Sequence, residues 1–125
     1  MATLTLEMKE MIAAQQCFIA TVNKEGIPNV APKRSTRVLS DDELIFTEGT
    51  GGTTFTNILR GSKVAVAVVN REILNGFRFI GDAVCHENGM SYDQAVAMSA
   101  SMGLPQPYAV VIIKITEIHS LKPGP

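Results

Sequence analysis

The sequence contains no tryptophan, only two histidines and only two cysteines among its 125 residues. Because hydrolases of the Ser–His and Cys–His types need an imidazole base, His86 and His119 leave few places for that chemistry. Cys17 and Cys85 both lie in apolar runs, which is typical of buried free thiols in a reducing compartment and not of a disulfide or metal pair. Two thiols are also too few ligands for a structural zinc site, so we expect no metal centre.

The sequence also lacks an excess of charge of one sign and lacks a long hydrophobic run. Eleven Lys and Arg residues face twelve Asp and Glu residues, for a formal net charge of −1, which argues against a broad nucleic-acid interface. No apolar run is longer than residues 108–113, which is far shorter than the roughly 18 residues of a membrane span. The first residues have no basic region of the kind that begins a signal peptide. We therefore expect a cytoplasmic protein without nucleic-acid or membrane partners.

A high apolar content is what the sequence does have. Hydrophobic residues make up 46% of the chain, enough for one domain over residues 1–125 with a sizeable core. The patterns predict helices over residues 4–14, 55–60 and from 91, and strands over residues 16–22, 27–39, 44–47, 63–69, 77–85 and 108–118. Most strands follow one another after hairpin-length links, which favours a mainly β, mostly antiparallel barrel with helices at its openings over a doubly wound parallel sheet.

Individual residues add local expectations to this pattern. Pro28 and Pro32 place the second strand at a sheet edge or a bulge, because proline cannot donate a ladder hydrogen bond. Gly81 predicts a bulge or a close backbone approach within its strand. Thr53 or Thr54 is expected to cap the short helix at its start.

The densest polar stretch runs from Lys33 through Arg34, Ser35 and Thr36 to Arg37. Alternation along a strand would place Lys33, Ser35 and Arg37 on one face. Two cations and a hydroxyl on one face suit a phosphate or a carboxylate. An exposed, charged edge strand that resists aggregation explains the same residues, and the sequence leaves the two interpretations open.

A second candidate is the Gly- and Thr-rich segment at residues 49–54, just before the short helix. Free backbone amides at a helix start, together with threonine hydroxyls, can bind an anion. The segment lacks the Gly-Lys-Ser/Thr ending of a P-loop and the glycine spacing of a dinucleotide fingerprint. An ordinary flexible loop remains the alternative, although two anion-friendly segments separated by a single strand are more specific than either alone.

The order of these motifs resembles a known family. The chain reads Gly26-x-Pro-Asn-Val-Ala-Pro-Lys33, then Thr-Arg-Val38, Asp-Asp-x-Leu-Ile-Phe-Thr47, Thr54-x-x-Asn57-Ile-Leu, Lys63-Val-Ala-Val and Gly76-Phe-Arg-Phe-x-Gly81. Over roughly residues 4–118 this is similar to the pyridoxamine 5′-phosphate oxidase-like family of FMN-binding split barrels. The resemblance implies a six-stranded antiparallel split β-barrel of Greek-key type with short flanking helices. It also implies a homodimer with two FMN molecules in its interface.

The resemblance further implies which residues would bind FMN. They come from the second strand, the end of the third strand and the start of the short helix: Lys33, Arg34, Ser35, Arg37, Thr47, Thr53, Thr54 and Asn57. Thr53 departs from the family, which commonly has a lysine or arginine there, so the charge for the phosphate would come from Lys33 or Arg34.

The function implied is that of an FMN-dependent oxidoreductase or electron-transfer protein, with a small-molecule or protein electron partner. No acid–base residue stands out, so the catalytic residues stay unassigned. The sequence ends at Pro125 without the C-terminal segment that pyridoxal-forming oxidases use for substrate, and we do not expect oxidation of pyridoxamine phosphate. The alternatives are a non-catalytic module of the same fold that holds haem or a deazaflavin, and a domain that serves only for dimerisation.

Overall fold

The computed structural model of the chain describes residues 2–124, so residues 1 and 125 of the predicted domain lie outside the described part. Its helices and strands follow one another as α1 (Leu6–Ala14), β1 (Cys17–Val22), β2 (Pro28–Pro32), β3 (Arg37–Ser40), β4 (Glu43–Glu48), α2 (Thr53–Leu59), β5 (Val64–Asn70), β6 (Asn75–His86), α3 (Met90–Ser101) and β7 (Ala109–Ser120). In this part of the chain no helix is long and apolar enough to cross a bilayer.

The strands form one antiparallel sheet in the order β2-β1-β5-β6-β7-β4-β3. The expectation of a mainly β, antiparallel barrel with short helices is therefore confirmed. The strand count is seven and not six. The two strands at the ends of this order, β2 and β3, are consecutive in the chain, so the sheet curls until its edges are joined by a short turn. The gap between these edges is the split of the barrel.

The extra strand arises because the predicted strand over residues 27–39 is broken in the middle. The backbone amide of Thr36 donates to the carbonyl of Lys33 at 3.1 Å, and the Thr36 hydroxyl donates to the same oxygen at 2.7 Å. These two hydrogen bonds close a turn over residues 33–36, which we call the polar turn. The prediction that Lys33, Ser35 and Arg37 share one face of a strand is therefore wrong, since alternation does not continue through a turn.

The core lies inside the curled sheet and is closed by the helices. Inward residues of the strands and Leu4, Met11 and Ile12 around α1 form one buried cluster, to which α2 adds Ile58. Helix α3 packs on the outside, where Ala95 lies in a smaller cluster with two residues of β4 and β7. Burial of these apolar groups is the main favourable term in folding.

Two local predictions about the strands are confirmed. Pro28 and Pro32 lie in β2, which is an edge of the sheet. The β6–β7 register shifts between Ile80 and Gly81, and a Cβ at Gly81 would stand only 2.3 Å from the Lys114 carbonyl oxygen. Glycine is thus required at this bulge because the neighbouring backbone leaves no space for a side chain.

The predicted cap of the short helix is wrong. Helix α2 begins after Gly52, which caps it without a side-chain hydrogen bond. Thr54 cannot serve as the cap because its side chain is buried and its hydroxyl accepts a hydrogen bond from the Asn29 amide at 3.1 Å. Gly61 follows the end of the helix with φ +93°, in the left-handed region that glycine adopts at little cost.

Candidate ligand site at the split of the barrel

The polar turn is connected to the end of β4 by side-chain contacts that cross the split. Ser35 lies where β3 would continue its pairing with β4. Its hydroxyl accepts a hydrogen bond from the Thr47 amide at 2.9 Å and lies 3.3 Å from the Thr47 carbonyl oxygen as a donor. A side chain thus replaces one ladder position, and Ser35 and Thr47, two of the predicted site residues, are in contact.

The charged centre of this region is an ion pair between Lys33 and Glu48. The Lys33 ammonium donates to Oε1 of Glu48 at 3.0 Å, and their side chains are 14% and 0% exposed. The same ammonium lies 5.6 Å from the centroid of the Phe46 ring, which is within the range of a cation–π contact. Glu48 follows Leu44 and Phe46 at alternating positions of β4, so its carboxylate belongs to the inward face of the barrel.

The second oxygen of Glu48 organises the Gly- and Thr-rich loop. Oε2 accepts from the amides of Thr50 at 3.1 Å and Gly51 at 3.0 Å, and from the Thr50 hydroxyl at 3.2 Å. Burial raises the pKa of Glu48, but the hydrogen bonds from Lys33, Thr50 and Gly51 outweigh burial and leave the pKa below its ordinary value. Glu48 is therefore held as a carboxylate, and the loop amides already bind an anion that belongs to the protein.

The loop is also fixed from outside by Tyr108. Gly51 has φ +67°, and a Cβ there would stand 2.7 Å from Cε2 of the Tyr108 ring. The Tyr108 ring meets Phe55 of α2 edge-on, with the ring centroids 6.1 Å apart. The backbone conformation thus favours glycine at this position, and a side chain there would have to displace the Tyr108 ring. These contacts give the loop a defined shape, against the alternative of an ordinary flexible loop.

The remaining predicted site residues divide into an exposed set and a buried set. Arg34, Arg37 and Thr53 are exposed; Arg37 donates to the Ser35 carbonyl at 2.9 Å, and desolvation lowers its pKa. Within residues 2–124, Arg34 has no ion-pair partner. Thr54 and Asn57 are buried, and the Asn57 amide donates to the Thr21 hydroxyl at 3.0 Å. The buried pair thus ties α2 to β1 and β2.

The sequence interpretation missed Glu48 and Tyr108. The signal for Glu48 was available: an acid at the third inward position of an apolar strand has to be paired, because an isolated buried charge is costly. Tyr108 gave no such signal. Its ring packs against Gly51, and only the fold brings these two residues, which are distant in the sequence, together.

An uncovered apolar surface lies beside the polar turn. It is the outward face of β2, β1 and β5, which we call the apolar face. Its residues are Pro28, Val30, Pro32, Phe18, Ala20, Val22, Ala65, Ala67 and Val69, aligned by the strand registers. Val30 is 65% exposed, and Phe18, Val22 and Val69 are between 41% and 49% exposed. A contiguous exposed apolar surface of this kind is typical of an interaction or ligand site.

Comparisons with known proteins fit this architecture. The family model for pyridoxamine 5′-phosphate oxidase matches residues 4–122. An uncharacterised protein of Methanocaldococcus jannaschii is 33% identical over 126 residues, covering 98% of this chain and 83% of that protein. The crystal structure of HupZ from Group A Streptococcus is 39% identical with a TM-score of 0.88, and the superposition covers 97% of this chain and 96% of that one.

A more distant structure shares the fold alone. An FMN-binding protein from Syntrophomonas wolfei is 18% identical with a TM-score of 0.77, over 94% of this chain and 86% of that one. Because the family model spans nearly the whole chain and relatives above 30% identity cover it almost end to end, this chain belongs to the pyridoxamine 5′-phosphate oxidase family.

Proposed function

We propose that this chain is a cytoplasmic flavoprotein that binds FMN at the interface of a homodimer and serves as an oxidoreductase or an electron-transfer protein. When bound, FMN supplies hydride or electron chemistry. The chain's own residues bind and orient the cofactor. Membership in the pyridoxamine 5′-phosphate oxidase family supports the proposal.

The observation that carries the proposal is the position of the polar turn directly beside the apolar face. β2 contributes exposed Val30 to that face and ends at Pro32, and the turn begins at the next residue. A phosphorylated flavin needs donors for its phosphate and an apolar wall for its ring system. Both are adjacent here, and a second copy of the chain would cover the wall.

The donor set fits a phosphate monoester. Arg34 and Arg37 are exposed residues, and a guanidinium group suits phosphate because it donates several hydrogen bonds in a planar array. Thr53, an exposed residue at the start of α2, adds a hydroxyl as a neutral donor. Glu48 is held ionised and is fully covered, so it is poorly suited to donate a proton to a substrate.

The absorbance spectrum of the purified protein tests the cofactor. We expect a yellow protein with about one FMN per chain, or tight titration of FMN into cofactor-free protein with quenching of flavin fluorescence. A protein that stays colourless and leaves the fluorescence of excess FMN unchanged would contradict the proposal. A Soret band, or the spectrum of a deazaflavin, would instead identify haem or a deazaflavin as the ligand.

The phosphate contacts are tested by the double variant Arg34→Ala/Arg37→Ala. Because a hydrogen bond to a charged group contributes about 1.5–3 kcal/mol, we expect FMN affinity to fall at least tenfold. The matched control is Arg60→Ala/Arg71→Ala, which removes two exposed arginines elsewhere and should leave affinity within about twofold. Equal losses in the two double variants would reject the phosphate assignment.

A further inference from the structure

Glu48 is a charged side chain at the candidate site that is not accessible to a ligand. Its carboxylate is fully covered and receives hydrogen bonds from the Lys33 ammonium, the Thr50 hydroxyl and the amides of Thr50 and Gly51. Two successive amides aimed at one oxygen form the kind of concave pocket that binds anions in other proteins. In this chain the anion is a side chain of the protein itself.

The same carboxylate changes the charge available to a ligand. Residues 33–37 contain three cations, Lys33, Arg34 and Arg37, but Lys33 directs its ammonium to Glu48 across the split. Arg34 and Arg37 are exposed and form no ion pair within the described residues. Of the three cations in residues 33–37, these two arginines therefore present a charge that is not already balanced.

We propose that Glu48 is an internal anion that fills the amide pocket of the 49–52 loop and neutralises Lys33, so that a ligand phosphate is held by Arg34 and Arg37. Glu48 is thus a positioning residue that sets how strongly the site prefers a phosphorylated ligand. The part of this inference that concerns the ligand rests on the proposed function, whereas the amide pocket can be tested without any flavin.

The pocket is tested by chemical rescue of Glu48→Ala with formate in cofactor-free protein. Formate carries the carboxylate that the variant lacks and is small enough to replace it. We expect formate, compared with chloride at equal ionic strength, to raise the unfolding midpoint of Glu48→Ala by about 4 °C. Should Glu48→Ala fail to fold in chloride, the readout is the refolding yield in formate against chloride.

The matched control is Asp82→Ala, which breaks the exposed Lys63–Asp82 ion pair. We expect formate to give neither this variant nor the wild-type protein the rise seen in Glu48→Ala. An equal effect of formate on all three proteins, or no effect on Glu48→Ala, overturns the proposal because the pocket would then not be an anion site.

The effect on the ligand is tested with the ratio of the Kd for riboflavin to the Kd for FMN, because the two differ only in the phosphate. Glu48→Gln removes the internal anion and unmasks Lys33, so we expect the ratio to rise threefold or more. Adding Lys33→Met removes the unmasked charge and should bring the ratio back down, while Asp82→Asn should leave it unchanged.

The outcomes separate this inference from the proposed function. An unchanged or lower ratio in Glu48→Gln overturns the inference even when FMN binds. Failure of wild-type protein to bind either flavin rejects the proposed function, and the formate experiment then decides the amide pocket on its own.

Discussion

The thiol of Cys17 is buried in the core on the inward face of β1. Burial raises its pKa from an ordinary value of 9.0 to about 11, because the thiolate loses its hydration. Below about pH 9 both folded and unfolded chains keep the proton. Between pH 9.0 and about 11 the thiol is deprotonated in the unfolded chain but still protonated in the folded one. The free energy of unfolding therefore falls by up to about 1.4 kcal/mol for each unit by which the pH rises.

Urea unfolding of wild-type protein and Cys17→Ala at pH 8 and pH 10 measures this dependence. The wild-type protein should lose more stability over that interval than the variant does. Cys85, whose pKa is also raised by burial, is present in both proteins and cancels in the difference. Equal losses would show that the Cys17 thiol is not what makes stability fall in alkali.

At the residue scale, the sequence identified polar residues that lie in this region but did not predict their contacts. Ser35 contacts Thr47 and Lys33 contacts Glu48, but the reason is a turn and not a shared strand face. Thr54 and Asn57, two of the predicted ligand contacts, are buried and hold α2 against the sheet. Residue type indicates which chemistry is available, whereas the partners of a polar group depend on contacts distant in the sequence.

At the scale of elements, α2 and α3 begin at glycines that supply no side-chain cap. Gly52 has φ −82°, and a Cβ there would meet only the Thr50 hydroxyl at 3.8 Å. Gly52→Ser can therefore add a capping oxygen and restrict the unfolded chain, and we expect stability to rise by about 0.5–1 kcal/mol. Chemical denaturation of the cofactor-free protein measures the change.

Gly89 provides the matched comparison at the start of α3. Its φ of +97° lies in the left-handed region, so Gly89→Ser gains the same hydroxyl but strains the backbone. We expect this variant to be less stable than the wild-type protein. Stabilisation by both serines would show that the backbone strain at Gly89 had been misjudged, and stabilisation by neither would show that the cap had been.

Most elements could be predicted because periodicity and glycine positions are local signals. The helix ending before Gly61 and the bulge at Gly81 are examples, since both depend on the backbone freedom of one residue. The break between β2 and β3 could not be predicted in this way. It depends on Thr36 bonding back to Lys33 and on Ser35 replacing a strand partner of β4.

At the scale of the whole molecule, the apolar face predicts a self-associating protein. Val30 lies in its edge strand and is 65% exposed. A charge there would have to be desolvated on association, so Val30→Asp should shift the protein from dimer to monomer and lower FMN affinity. Light scattering after size-exclusion chromatography measures the mass of the species.

Leu6→Asp is the matched control because Leu6 is 74% exposed at the start of α1, away from the sheet face. An acid in a first helical turn is favourable, so this variant should stay dimeric. If Val30→Asp and Leu6→Asp both stay dimeric, the apolar face is not the interface. A monomeric wild-type protein would reject the homodimer itself.

The polar turn joins the two edges of the sheet, and Arg34 and Ser35 within it lie outside every strand ladder. Residues inserted between them would move the guanidinium of Arg34 without shifting the register of any strand. The entropic cost of a longer loop grows only slowly with its length. Insertions at this one short connection can therefore change which ligand is preferred. The residues that specify the barrel need not change at the same time.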